Sequence, residues 1–556
     1  MYCALLVSGL MIPEVMPLST QTKTPSFLQK LLAFFDNTSH FRLVFMAVMF
    51  LDIRYLSGIA YSIVLSVMFV WSLWLIIDRM ILRKGILRLR YRSVIYVFLM
   101  FALFTIILHA ESNLLQNLIT LYWMVVCFFL FYGIHAEKSN VRVKKEMRRS
   151  FEIINAVTTA IMLVSLVLFA IFPNGFKLMG FEFCIIEKRF VGVIPNANVT
   201  AFYSVIAIVA CTFLLRMRRA DGTLTGKLRI WYAACIVINA FTLILTDSNA
   251  SLLLMMVFLS FLAFYELFKE FTFKKFATIL FRLVALSLAC VTIVSSLFFI
   301  RVGVQKGVSA VLTTRSSNIA VSTGLNANDG DIELEDEPKK SPAISSKPAL
   351  GHQNKNIDSG RYVLWRQALG LLEKYPVFGI GSDNIADYGE FYLGGVRYTD
   401  IGGNHYVNFH NGLLTIAVSF GLVGLSLFLT LAVTIAKAIL KAVFLYKNRS
   451  RRDGNMLVMI AAFSAAYCVY SMFEVALFVD YTYRVFIFWM IIGLGLSYVF
   501  KYRHQAALDG RNDINRQDDT SEWDYLKNKF SSLRSKGKTS IEKKLLHSSD
   551  SSLTGG

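Results

Sequence analysis

Two residues in one stretch of the chain carry the strongest chemical signal. Arg361 falls where a helix should begin, because Asp358 and Ser359 can cap it. An apolar stripe of Val363, Leu364, Ala368, Leu369, Leu371 and Leu372 follows at helical spacing. A cation at a helix N-terminus opposes the helix dipole. It fits there if the guanidinium and the free backbone N–H groups share an anion such as a phosphate. His410 stands at the lip of an apolar segment that opens at Gly412. Imidazole titrates near neutral pH, and a positioned one acts as a general base, adding a factor of about 10² to 10⁴ in rate. Taken singly, Arg361 also reads as an exposed arginine. His410 and His405 also read as interfacial histidines bonded to water or backbone. Arg189, Asp247, Ser248, Glu474, Asp480 and Arg484 fall in other connections on the same predicted side. Ionisable groups near membrane depth are costly and are functional candidates by default.

The elements that must position these residues are membrane helices. Of 556 residues, 55% are hydrophobic and 17% charged, against about a quarter charged in soluble proteins. Mean hydropathy is +0.54. This excludes a cytosolic enzyme. A helix needs about 20 apolar residues to cross a bilayer, and spans are predicted at 41–56, 57–77, 93–110, 113–134, 152–173, 196–215, 229–246, 249–268, 277–300, 412–436, 455–474 and 482–500. The first is short and ends in Asp52 and Arg54.

The net charge of +20 is explained by the connections. Lys and Arg cluster at 79–92, 138–149, 216–227, 269–275 and 437–452, whereas His109–Asn113 and Thr246–Asn249 have none. The positive-inside rule then places both termini in the cytoplasm of a plasma-membrane protein, with Arg361 and His410 on the outer side. Anionic lipid head groups are compatible partners of the basic face. Nucleic acid is not an expected partner, because no recognition motif accompanies the charge.

The predicted organisation is an N-terminal cytoplasmic segment (1–40), nine spans (41–300), a large outer loop (301–411), three spans (412–500) and a disordered tail (501–556). The loop holds about 11 basic and 12 acidic residues. Its first part, 305–358, reads as flexible; 359–411 bears the motifs. The seven cysteines suggest neither a disulfide framework nor a zinc site. No metal or cofactor is expected.

The run Arg361-x3-Trp365, Pro376-x2-Gly379-x-Gly381, His410-Asn411-Gly412 and Gly421-Leu422-Val423-Gly424-Leu425 resembles the signature of the O-antigen ligase superfamily. Arg189-x2-Gly192-x2-Pro195-Asn196 resembles a second block of that family. The resemblance implies an all-α polytopic, GT-C-like fold and a metal-independent glycosyltransferase using a polyprenyl-diphosphate-linked sugar donor. It implies that Arg361 meets the donor diphosphate and that His410 activates the acceptor hydroxyl. Arg189, Asn411, His405, Trp365, Glu474 and Arg484 are the candidate substrate-binding residues. Family members commonly carry Thr-x-Ser-Arg after the seventh span; here Thr246-Asp247-Ser248-Asn249 lacks the arginine. The leading expectation is a repeat-unit polymerase of capsule, exopolysaccharide or O-antigen. The first alternative is a ligase moving the finished glycan to lipid A-core. A transporter or flippase of lipid-linked sugars is the alternative of a different class. Other polysaccharide-assembly membrane proteins are possible partners.

Overall fold

The computed structural model describes residues 26–51, 58–83, 85–137, 140–178, 181–186, 189–194, 196–269, 276–322, 361–393, 409–444, 451–479 and 482–508. Fifteen helices of nine or more residues organise them: α1 (Phe27–Phe35), α2 (Thr38–Leu51), α3 (Gly58–Leu75), α4 (Arg92–Leu108), α5 (Leu114–Val126), α6 (Asn140–Ile171), α7 (Ala197–Ala220), α8 (Gly226–Leu245), α9 (Asn249–Phe268), α10 (Phe276–Ser322), α11 (Arg361–Lys374), α12 (Ile385–Leu393), α13 (Gly412–Phe444), α14 (Arg451–Tyr470) and α15 (Tyr483–Leu508). π-helical stretches, Ile76–Leu82 and Cys127–Tyr132, extend α3 and α5. The chain forms one compact unit through Tyr498 and a second from Val499.

Ten helical stretches are long and apolar enough to cross a membrane, and Thr38–Phe50 and Arg92–Leu108 are shorter apolar helices. The protein is therefore an all-α polytopic membrane protein, and each of the twelve predicted spans overlaps one of these helices. Aromatic rings fill the interior where α4, α5, α13 and α15 meet. Phe98 and Phe478 lie 5.4 Å apart, and Phe128 sits 5.0 Å from Trp489. The basic connections also hold helices together. Arg42, fully buried on α2, pairs with Glu146 of α6 at 2.6 Å, and Lys144 pairs with Asp453 of α14 at 2.8 Å.

Two features depart from the sequence expectations. The ninth span does not end at 300, because α10 continues as helix to Ser322, about 70 Å in all. Val304, Val308 and Leu312 recur every four residues and pack against Phe169, Phe176, Phe183 and Phe190. That stripe packs the 304–312 part against the core, and the helix runs on to Ser322 where the sequence predicts a flexible segment. The rest of the expected flexible part, the caps Asp358 and Ser359, and most of the tail lie outside the described residues. The second departure is a small antiparallel sheet between α6 and α7, order β1-β2-β3: β1 (Phe176–Leu178), β2 (Phe181–Ile186) and β3 (Arg189–Gly192).

The segment between α11 and α12 explains the glycines of the motif. Inside α13, Gly421 leaves helical geometry at φ 65 and ψ −175. The backbone groups freed there pair with the incoming segment. Leu422 N–H donates to the Pro376 carbonyl (2.7 Å), Ile380 N–H to Val418 (3.0 Å) and Gly381 N–H to Ser419 (2.9 Å). At membrane depth such a break is tolerated because protein satisfies it. A Cβ on Gly379 would stand 2.5 Å from Gly421 N, and one on Gly421 would stand 2.0 Å from the Val377 carbonyl oxygen. No other residue type permits this approach. Leu364, Ala368 and Leu371 of α11 then bury against Ile380, Ile385, Phe409 and Val418, whereas Val363 and Leu369 of the predicted stripe are exposed.

Candidate active site

Four helix beginnings and one turn converge at the end of the bundle opposite the basic connections. Their common contact is Glu474, in the turn between α14 and α15. Its side chain is 6% exposed. Arg361, the first residue of α11, reaches Glu474 Oε1 through Nη2 at 3.5 Å. Arg484, the second residue of α15, reaches Oε2 through Nη1 at 3.4 Å. His410, two residues before α13, places Nδ1 3.5 Å from Oε2. Asn198, the second residue of α7, donates from Nδ2 to Oε1 at 3.2 Å. Burial pushes the Glu474 carboxyl up, but His410, Arg484 and Arg361 outweigh it and bring the group from 4.5 down to about 2. Two guanidinium groups, an imidazole and an amide thus share one carboxylate, in the positive field of four helix N-termini. Arg361 Nε is buried and makes no hydrogen bond among the described residues.

Local sequence fixes each of these groups. Asn196 caps α7 through Oδ1, which accepts from Asn198 N–H (2.9 Å) and Val199 N–H (3.2 Å). Gly192 (φ 71) lies against α6, where a Cβ would meet Ser165 Oγ at 2.4 Å, and Val193 N–H donates to that hydroxyl (3.1 Å). The block from Arg189 to Asn196 therefore sets Arg189 beside α7. Arg189 donates from Nη2 to Asn198 Oδ1 (2.9 Å) and from Nε to the Thr246 carbonyl (3.1 Å).

His410 is pinned from both sides. Its backbone is left-handed at φ 44, which a non-glycine residue rarely adopts. On one side Phe409 is fully buried, and its carbonyl accepts from Trp365 Nε1 of α11 (3.1 Å). On the other, Asn411 Oδ1 caps α13, accepting from Leu413 N–H (3.0 Å) and Leu414 N–H (3.1 Å). Gly412 N–H bonds the Ser471 carbonyl at 2.6 Å, and a Cβ there would stand 3.2 Å from that oxygen.

Of the residues singled out from sequence, Arg361, His410, Glu474 and Arg484 meet directly, and Arg189 joins through Asn198. Trp365 and Asn411 hold the backbone around His410 through Nε1 and Oδ1. His405 lies outside the described residues, as do Lys188, Pro195 and Asp480. The sequence reading places Asn198 on the outer face but does not assign it to the site; its signal is its place two residues after a helix cap. The sequence reading missed Arg301. From α10, Arg301 pairs with Asp247 and donates to Asn249 Oδ1 at 2.8 Å, while Gln305 Nε2 donates to Asp247 Oδ1 at 3.0 Å. A guanidinium therefore stands at the turn whose expected arginine is absent, delivered by the helical extension that hydropathy alone assigned to a loop.

No curated protein matches the chain. Residues 234–429, from within α8 to within α13, match the Wzy_C family, described as O-antigen ligase. That span contains Arg361, Trp365, the glycines at 379, 381 and 421, and His410, so the part of the chain that bears these residues is similar to the O-antigen ligase family.

Proposed function

We propose that this protein is a glycosyltransferase that polymerises polyprenyl-diphosphate-linked oligosaccharide repeat units on the outer face of the plasma membrane. The observation that carries the reading is Arg361. It opens a helix, shares a carboxylate with Arg484 and His410, and keeps a buried Nε without a hydrogen bond among the described residues. A group so placed binds a further anion, and a diphosphate supplies acceptors for both the guanidinium and the helix N-terminus.

The reaction follows from that placement. An acceptor sugar hydroxyl attacks the anomeric carbon of the donor, a new C–O bond forms, and the bond to the lipid diphosphate breaks. Negative charge grows on the departing diphosphate, where Arg361 stabilises it. His410, whose Nδ1 stands 3.5 Å from Glu474 Oε2, is the group placed to accept the hydroxyl proton. Arg189 is the second candidate for the diphosphate. The basic connections at the opposite end support a cytoplasmic location for that end and an outer location for the site.

Lipid-linked glycans in a deletion strain test the reading. A polymerase mutant accumulates single repeat units on lipid. The family description favours a second reading, a ligase, whose loss leaves long chains on lipid. In cells, Arg361→Ala and His410→Ala should each abolish long-chain polysaccharide while the protein remains inserted. Unchanged chains in both would sink the assignment.

A further inference from the structure

The helix α1 has an apolar face with none of the described residues packed against most of it. At 100° per residue, Phe27, Leu28, Leu31, Leu32, Phe34 and Phe35 occupy one continuous arc, and Gln29, Lys30 and Ala33 occupy the other. Phe27 is 80% exposed, Leu28 61% and Leu32 60%. No residue of α1 is buried. The helix nonetheless starts itself. Ser26 and Gln29 form a reciprocal capping box, with Ser26 Oγ accepting from Gln29 N–H (3.3 Å) and Gln29 Oε1 from Ser26 N–H (3.0 Å).

Among the described residues, the end of α1 that is docked is the C-terminal one. Phe34 and Phe35 pack on Trp71 of α3 at 5.6 and 4.9 Å, and Trp71 Nε1 donates to the Phe35 carbonyl at 2.6 Å. Asp36, just past α1, accepts from Arg79 at 2.7 Å. These contacts hold α1 at the basic end of α3, level with Arg79 and Arg83. On α3, Val70, Leu73 and Trp74, and Ile77 just beyond it, are exposed as well, on a stretch apolar enough to cross the membrane. The helix α2 begins two residues after Asp36 and is 14 residues long, about 21 Å against a hydrocarbon core of about 30 Å. Its first turns carry Arg42, paired to Glu146. The chain therefore turns at the end of α3 that carries Arg79 and Arg83, the basic end of the bundle.

We propose that α1 is an interfacial helix, lying along the membrane surface on the side of the basic connections with Phe27, Leu28, Leu31 and Leu32 among the lipid acyl chains. Two observations choose lipid over a protein partner. The arc is docked on α3, a helix apolar enough to cross a membrane whose Val70, Leu73 and Trp74 are also exposed, and Lys30 opposite the arc is placed for the head groups.

Bimane attached to single cysteines introduced at positions 27 to 32 of the full-length protein in proteoliposomes tests this. Wild-type protein labelled in parallel supplies the background from the native cysteines. Lipids carrying a doxyl quencher high in the acyl chain should quench Leu28→Cys, Leu31→Cys and Leu32→Cys strongly. Gln29→Cys and Lys30→Cys should instead be quenched by aqueous iodide. Iodide quenching at Leu28 and Leu32 would leave the face in water, and protection there from both quenchers would put it against protein. Either result overturns the proposal.

Discussion

Replacing Glu474 by glutamine removes the charge at the centre of the site and keeps the shape. The carboxyl lies at about 2 rather than 4.5. At 1.36 kcal/mol per pH unit, the ionised form gains about 3 kcal/mol from its surroundings. Because the folded-state value is depressed, that stability is complete above about 4.5 and is lost as pH falls through about 2. The variant should therefore be less stable than wild type by about 3 kcal/mol at neutral pH. The gap should close on acidification and vanish below pH 2. Thermal unfolding of the purified protein in detergent across pH reads this directly. The second readout, under the proposed polymerase function, is polymer formation from lipid-linked repeat units at neutral pH. Losing the acceptor that orients His410 Nδ1 should slow it by about 10² or more. A variant that unfolds with wild-type stability at pH 7 and makes polymer at the wild-type rate would refute the placement of Glu474 at the hub.

Four further outcomes follow from the geometry. Arg361→Lys retains the charge but loses the planar fork, and should not restore polysaccharide synthesis in cells. Asn411→Ala should cost about 1 kcal/mol of stability by uncapping α13, and Asn411→Ser should recover it in the same unfolding assay. Gly421→Ala forces a Cβ to 2.0 Å from the Val377 carbonyl oxygen at a φ of 65. It should cost about 4 kcal/mol or more, seen as lost monodisperse protein in size-exclusion chromatography. Arg301→Ala takes the guanidinium from Asp247, which is 4% exposed, and should cost about 1–3 kcal/mol; wild-type unfolding behaviour would contradict the pairing.

The bundle was legible because its signal is one-dimensional: apolar runs mark the helices whichever way they pack. Arg361 and His410 were legible for another reason. Each stands at a helix boundary, where residue type and backbone position together imply a task. What hydropathy could not register was packing specific to three dimensions. Val304, Val308 and Leu312 are too sparse to extend an apolar run, yet they hold α10 helical and bring Arg301 to Asp247. Glu474 was legible only as an ionisable residue on the right side. Its role as the shared contact depends on four chain segments meeting, and no local pattern encodes that. The glycines at 379 and 421 were visible as a motif, but their reason, two backbones in contact, appears only when both segments are placed.

The position of Glu474 in the chain has a consequence for biogenesis. Arg189, Arg361 and His410 are all translated before it, and Arg484 after it. As the nascent chain emerges, Arg361 and His410 reach their end of the bundle without the carboxylate that later joins them. Gly412 likewise lacks the Ser471 carbonyl until α14 has crossed. The site therefore closes last, when the turn between α14 and α15 arrives. A chain stopped after α14 would keep Arg361, His410 and the glycines at 379 and 421 and still have no assembled centre.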